Sequence, residues 1–193
     1  MADFNKSFEK TMGHEGGYVN DPDDKGGETY CGISRRWQPN WSGWLIIDAY
    51  KKAPDFRKCL KNDEGLAQLV RDFYRIEFWN RISGDKIQAQ YIADKMFDTI
   101  VNMNPRKPRM FLQRVLNCLN RNESLYPDLV VDGAIGPATL SAMDKLNSDD
   151  TKLLFNMLNV LQGNHYIEEM ERDPEQEKYC RGWFSRVTIV QGE

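Results

Sequence analysis

His14-Glu15-Gly16-Gly17-Tyr18-Val19-Asn20-Asp21-Pro22-Asp23-Asp24-Lys25-Gly26-Gly27-Glu28-Thr29-Tyr30-Cys31-Gly32-Ile33 joins one glutamate to a glycine pair and then to a loop rich in carboxylates. Just upstream, Phe4, Phe8 and Met12 recur at i, i+4 and i+8 behind Asp3, which predicts an amphipathic helix over 3–14. Gly16-Gly17 stops that helix. Glu15 therefore falls at its last turn, held by regular structure behind while the chain beyond it turns away. Residues 20–33 carry Asp, Gly and Pro in the density of a loop, with Thr29 to Ile33 as one short strand. Any sheet built here is small.

The rest of the chain reads as helices. Leu66, Leu69, Val70, Phe73 and Glu77 follow helical spacing, as do Ile92, Met96, Ile100 and Met103. On the second of these helices Asp98 and Asn102 stand four apart, so they share a face and can project together into a cleft; a solvated or capping role fits them equally well. Pro105 and Pro108 break the pattern, after which Phe111, Leu112, Val115, Leu116 and Leu119 mark another helix. A loop from Asn120 leads to Pro137, which suits a first helical position ahead of Leu140, Met143 and Leu146. Leu153, Leu154, Met157, Leu158, Leu161 and His165 define a long helix, and Asp173-Pro174 opens a last one. The expected class is mainly α, with about eight helices and at most a small β-hairpin. Trp37, Trp41 and Trp44 form a cluster that suits either core packing or stacking on sugar rings.

Composition narrows the function. A chain of 193 residues with 40% apolar side chains buries enough surface to fold without staples. A net charge of -3 argues against a nucleic-acid binder, which needs cations to neutralise phosphates; the strip Arg106-Lys107-Pro108-Arg109 reads as solvated surface. Cys31, Cys59, Cys118 and Cys180 lie far apart without a C-x-x-C pair and read as reduced thiols. Cys31 has only His14 and His165 as conceivable bases and no supporting signature, so it is a poor candidate nucleophile. No metal is expected, because His14-Glu15 lacks a second histidine at ligand spacing, and no cofactor is implied. The first residues, Met1 to Lys6, lack the basic start and apolar run of a signal peptide. The expectation is synthesis in the cytoplasm without a signal peptide and no stable membrane insertion.

A helix-end glutamate facing a carboxylate-rich loop suits glycoside cleavage, which needs a proton for the leaving oxygen and a second group for the oxocarbenium-like centre. Glu15 is the candidate acid, since partial burial would keep it protonated at neutral pH. The loop offers Asp21, Asp23, Asp24 and Glu28 as the second group, and Asp24 is the choice by spacing. Glu15-x8-Asp24 followed by Thr29 resembles the Glu-x8-Asp-x5-Thr arrangement of phage-type lysozymes, with the threonine one residue early. Tyr18 and Tyr30 are candidates to line the sugar site, with packing beside glycine turns as the competing role.

The longer string is more specific. Glu15-Gly16-Gly17-Tyr18, Asn20-Asp21-Pro22, Asp24-Lys25-Gly26-Gly27-Glu28-Thr29 and Gly32-Ile33-Ser34 resemble the signature of glycoside hydrolase family 108, the N-acetylmuramidases of phages and bacteria. Some members carry the label of secretion activator, and others are phage endolysins. A second set is similar to the predicted peptidoglycan-binding segment of that family: Phe97-Asp98, Val101-Asn102, Phe111 to Asn117, Asp132-Gly133, Ile135-Gly136-Pro137, Thr139-Leu140, and Asp173-Pro174 through Gly182-Trp183. Asn104 and Lys25 depart from the pattern. The resemblance implies a lysozyme-like fold with a catalytic part over 1–92 and a helical peptidoglycan-binding segment over 93–193, packed as one compact unit. It implies cleavage of the β-1,4 bond between N-acetylmuramic acid and N-acetylglucosamine. Glu15 carries over as the essential acid, with Asp24 and Thr29 beside it; Tyr18, Tyr30, Asp98 and Asn102 are the candidates, read from their own positions, to face the glycan. The implied partner is the peptidoglycan strand, reached in the cell wall after lysis or export by a holin or secretion system.

Two other readings stand beside this one. A lytic transglycosylase needs only one acid/base and forms 1,6-anhydro ends. A non-catalytic wall-binding or secretion-accessory protein would use the same scaffold without needing Glu15.

Overall fold

The computed structural model describes residues 1–12, 17–20 and 27–188. Among them are nine α-helices and one three-stranded antiparallel sheet, so the protein is mainly α. The chain divides into two compact units, one formed by residues 8–77 and the other by residues 1–7 with those from 78 onward.

Helix α1, Phe4–Met12, follows the predicted apolar stripe. Phe8 meets the ring of Tyr74 edge-on, with centroids 5.8 Å apart, inside the first unit. The strand expected over Thr29 to Ile33 is instead two strands and a turn. Strands β1 (Tyr18–Val19), β2 (Thr29–Tyr30) and β3 (Ile33–Ser34) pair in that order. Cys31 and Gly32 between β2 and β3 both take positive φ, 45° and 78°, which reverses the chain where a straight strand was read. Glycine is required at position 32 by space as well as by φ: a Cβ there would lie 2.5 Å from the Tyr74 hydroxyl oxygen, and that hydroxyl donates to Cys31 O at 2.8 Å.

Helices α2 (Gly43–Tyr50), α3 (Phe56–Asn62) and α4 (Glu64–Tyr74) complete this unit. The side chain of Asp63 caps α4 by accepting from Leu66 N at 2.7 Å, and the Tyr50 hydroxyl donates to its other oxygen at 2.9 Å. Ile33, Ile47, Leu60, Leu66 and Val70 form the core beneath the sheet.

The helical pattern ending at Glu77 continues in a wider form. A π-helical turn, Arg75–Trp79, carries Trp79 into the second unit, followed by 3-10 turns at Asn80–Ile82 and Gly84–Lys86. Helices α5 (Gln90–Asn102), α6 (Arg106–Leu119) and α8 (Ser148–Arg172) pack on one another there, while α7 (Pro137–Asp144) lies against α6. Ile92, Met96, Ile100, Leu112, Leu116, Leu154 and Leu158 form their shared core.

The prolines read as breaking the chain before α6 do so only at Pro105. Pro108 lies in the first turn of α6, where a helix needs no N–H from it. The long connection from Asn120 to Gly136 is anchored by amide side chains of α6. Asn117 exchanges two hydrogen bonds with Leu129, and Gln113 bonds Asp132, Gly133 and Ala134, so side chains stand in for the missing backbone partners. A 3-10 segment, Pro174–Tyr179, capped by Asp173 as expected, leads into α9, Cys180–Phe184.

Candidate active site

Glu15 and Asp24 lie outside the described residues, as do His14, Asp21 and Asp23. The described part of the candidate site is therefore the sheet and helices on either side of them in sequence.

The sheet register sorts its side chains. Tyr18 lies opposite Tyr30, and Tyr30 opposite Ile33, so these three share one face; Val19, Thr29 and Ser34 share the other. Tyr30 is 6% exposed and its hydroxyl donates to Leu60 O at 3.2 Å, so its ring takes the packing role that competed with a sugar contact, with one edge on a cavity beside Met12. The register puts Tyr30 on the face it shares with the buried Ile33. Thr29 is half-buried, and its hydroxyl donates to Gly27 O at 3.2 Å across the left-handed turn at Gly27.

Tyr18 is half-buried, with its ring against Phe56 (5.1 Å, 84°) and near the Arg57 guanidinium. Burial first, then the nearby Glu28 carboxylate, raise the pKa of its hydroxyl. Glu28 is in turn gripped by Arg35 at 2.8 Å and Lys51 at 2.7 Å, and Asp48 pairs with the same two cations at 2.7 and 2.8 Å. Two acids and two bases thus close a ring. Hydrogen bonds from Arg35, then Lys51, hold Asp48 down at about 2. Glu28 is consequently charge-compensated within this network. Asp48 and Lys51 had a sequence signal in their i, i+3 spacing, but their convergence on Glu28 depends on where β2 lies beside α2.

Trp44 is buried, donating from Nε1 to Gln38 O at 2.7 Å beneath the Arg35 guanidinium. Trp41 packs edge-on against it and stacks on Tyr30. Trp44 is core and Trp41 is half-buried against it; Trp37, 70% exposed, is the member of the cluster left at the surface. A cavity of about 170 Å³ opens beside Met12, the last described residue of α1, and is lined by Phe8, Tyr30, Cys31, Ala67, Val70 and Arg71.

In the other unit, Asp98 and Asn102 do stand together on α5, with Asn102 Nδ2 2.7 Å from Asp98 O and 3.4 Å from its Oδ1. Asp98 also accepts from Arg186 at 2.6 Å, so its charge is compensated within the unit by a residue 88 positions away. No cluster of three or more His, Cys, Asp or Glu side chains among the described residues has metal-binding geometry. All four cysteines are free thiols, and no described helix is long and apolar enough to cross a membrane.

The burial of Tyr30 has a measurable consequence. Desolvation, and next the neighbouring Cys31, push its pKa up to about 12 from the usual 10.0. The folded state thus keeps a proton that the unfolded chain releases near pH 10. Its contribution to stability is complete below pH 10 and is lost as the pH climbs to about 12. Urea midpoints measured at pH 9 and pH 11.5 should fall for the native chain, and fall less steeply for Tyr30→Phe; identical slopes would contradict the burial of this hydroxyl.

The helices and small sheet define a mainly α, lysozyme-like protein. Residues 8–103 match the family model described as Glycosyl hydrolase 108, and residues 107–188 match that of the Predicted Peptidoglycan domain. The chain belongs to the glycosyl hydrolase 108 family, with a predicted peptidoglycan domain following the hydrolase segment. It is similar to the solved structure of SagA from Brucella abortus, at 26% identity over 95% of this chain and 88% of that one, with a TM-score of 0.60. No curated protein matches the chain. Family membership makes the protein a glycoside hydrolase with peptidoglycan as its substrate.

Proposed function

We propose that the protein is an N-acetylmuramidase, cutting the β-1,4 bond between N-acetylmuramic acid and N-acetylglucosamine with Glu15 as general acid. The observation that carries this reading is the hydrolase-family match over residues 8–103, which spans the Glu15-Gly16-Gly17-Tyr18 motif and the acidic loop after it. Glu15 delivers its proton to the leaving glycosidic oxygen as the bond to the muramic carbon lengthens. Asp24 stabilises the positive charge that develops on the ring or activates the incoming water, and Thr29 orients that water. Tyr18 lines the glycan cleft, with its ring set against Phe56. The catalytic part corresponds to residues 1–92 and the peptidoglycan-binding part to 93–193. Delivery to the wall by a holin, by a secretion system or on lysis fits an endolysin or a secretion-activating muramidase.

Product chemistry tests the reaction. Mass spectrometry of fragments released from purified peptidoglycan should find reducing muramic acid ends. A product set made only of 1,6-anhydro ends would assign transglycosylation instead.

A further inference from the structure

The unit built on α5, α6 and α8 holds an open cavity of about 400 Å³ whose walls are mostly polar. It lies where three segments meet. Asn102 and the turn after it form one rim, Lys107 in the first turn of α6 a second, and Arg172 at the end of α8 a third; Trp183 of α9 closes one side. Its volume is in the range of ligand sites and well above what one or two waters need.

The walls are held rigidly. Trp183 is stacked against both Tyr166 (5.0 Å, 23°) and Tyr179 (5.9 Å, 26°), so its ring is fixed before any ligand arrives. Tyr166 is 2% exposed and accepts from Gln162 at 2.8 Å. His165, 7% exposed, forms the floor, with the Lys107 ammonium 3.3 Å from its Nδ1. Burial first and Lys107 second lower the pKa of His165, so the imidazole is neutral and offers one donor and one acceptor.

The charges do not balance. Lys107 lies 3.3 Å from Glu169, and Arg172 pairs with the same glutamate. One carboxylate thus answers two cations, and the cavity carries a net positive charge. Both cations remain reachable, with side chains 42% and 70% exposed. A ligand suited to this cavity is hydrophilic, with amide and hydroxyl groups for Asn102 and His165 and a carboxylate to share Lys107 and Arg172 with Glu169.

We propose that this cavity is a muropeptide-binding subsite, in which Lys107 and Arg172 hold a carboxylate of the muramic acid lactyl group or stem peptide and Asn102 and His165 bond the adjoining amides. The inference deepens the reading of the protein as a peptidoglycan hydrolase and rests on it. It places the recognition of acidic wall fragments in the unit that follows the hydrolase motif, on residues other than Glu15 and Asp24.

The chain has two histidines, so the imidazole resonances of His165 are assignable in a ¹H–¹⁵N spectrum by their loss in His165→Gln. The probe is N-acetylglucosaminyl-N-acetylmuramyl dipeptide, which lacks the bond a muramidase cuts; neutral chitotriose is the control. The His165 signals should shift with the first ligand and stay put with the second. Lys107→Ala, at a half-buried position, and Arg172→Ala, at an exposed one, should each weaken the fitted affinity about ten-fold, as expected for loss of a charge-assisted bond. Unmoved His165 signals, an equal response to chitotriose, or affinity unchanged in both variants would overturn the subsite. Release of fragments from whole walls by the same preparation separates the two claims: digestion without a His165 response removes the subsite alone, and a His165 response without digestion removes the hydrolase reading alone.

Discussion

Glu15→Gln should lower the release of soluble fragments from purified cell walls by about 100-fold or more, the loss typical of removing a general acid. The substitution keeps the length and hydrogen-bonding shape of the side chain but removes the transferable proton, so the leaving oxygen departs as a poor alkoxide. A group acting only in the transition state should cost turnover, with the apparent affinity for wall fragments nearly unchanged. The melting temperature should stay within a few degrees of the native value, because the change is isosteric. Equal wall clearing by this variant would reject the enzymatic role of Glu15 and favour a wall-binding or accessory protein on the same scaffold.

Trp79→Ala should cost about 3 to 5 kcal/mol of stability, the range for truncating a large aromatic in a core. Trp79 is fully buried, and its ring meets Phe4 and Phe97 edge-on at 5.6 and 5.9 Å. Its Nε1 donates to Asp85 at 2.9 Å, so truncation also removes a hydrogen bond to a carboxylate. Gly84 lies so close beneath the indole that a Cβ there would stand 2.3 Å from it, so position 84 offers no side chain to fill the void. Domains of this kind are stable by about 5 to 15 kcal/mol, so the loss is a large share of the total. Urea unfolding followed by far-UV circular dichroism measures it; a change below about 1 kcal/mol would mean the cavity collapses far more completely than cores of this density do.

The helices most fully legible in sequence were those with long apolar periodicity. α4, α5, α6 and α8 each repeat their buried positions over successive turns, and that pattern survives any choice of tertiary neighbour. Of the shorter ones, α1 was legible from its Phe4, Phe8 and Met12 repeat and α7 from Pro137 at its start, while α3 escaped. α3 has only seven residues, of which Leu60 is the buried one, too little periodicity to register. The Cys31-Gly32 reversal was hidden because a non-glycine residue at φ 45° is unusual and gives no signal of its own. The π-helical turn at Arg75–Trp79 likewise shifts the helical phase only when Trp79 has a core to enter.

The candidate site divides the same way. The Glu15 motif was legible because its residue types and spacing are local, and so was the shared face of Asp98 and Asn102 on one helix. Tyr30 was not, since its direction depends on pairing with Tyr18 and Ile33, and a one-residue shift in that register would have turned it outward. Nor did any local pattern announce that Arg186 would meet Asp98, or that Arg35 and Lys51 would jointly hold Glu28 and Asp48.

By itself, then, the sequence determined the helical class and the glycosidase motif, because both are written in short-range spacing. Only the tertiary structure decided which tyrosine enters the core, which acids are spent on ion pairs, and that Lys107, His165, Glu169, Arg172 and Trp183 line one cavity. Those outcomes depend on contacts between residues far apart in the chain, and such contacts are set by the packing of whole elements, which no window of neighbouring residues contains.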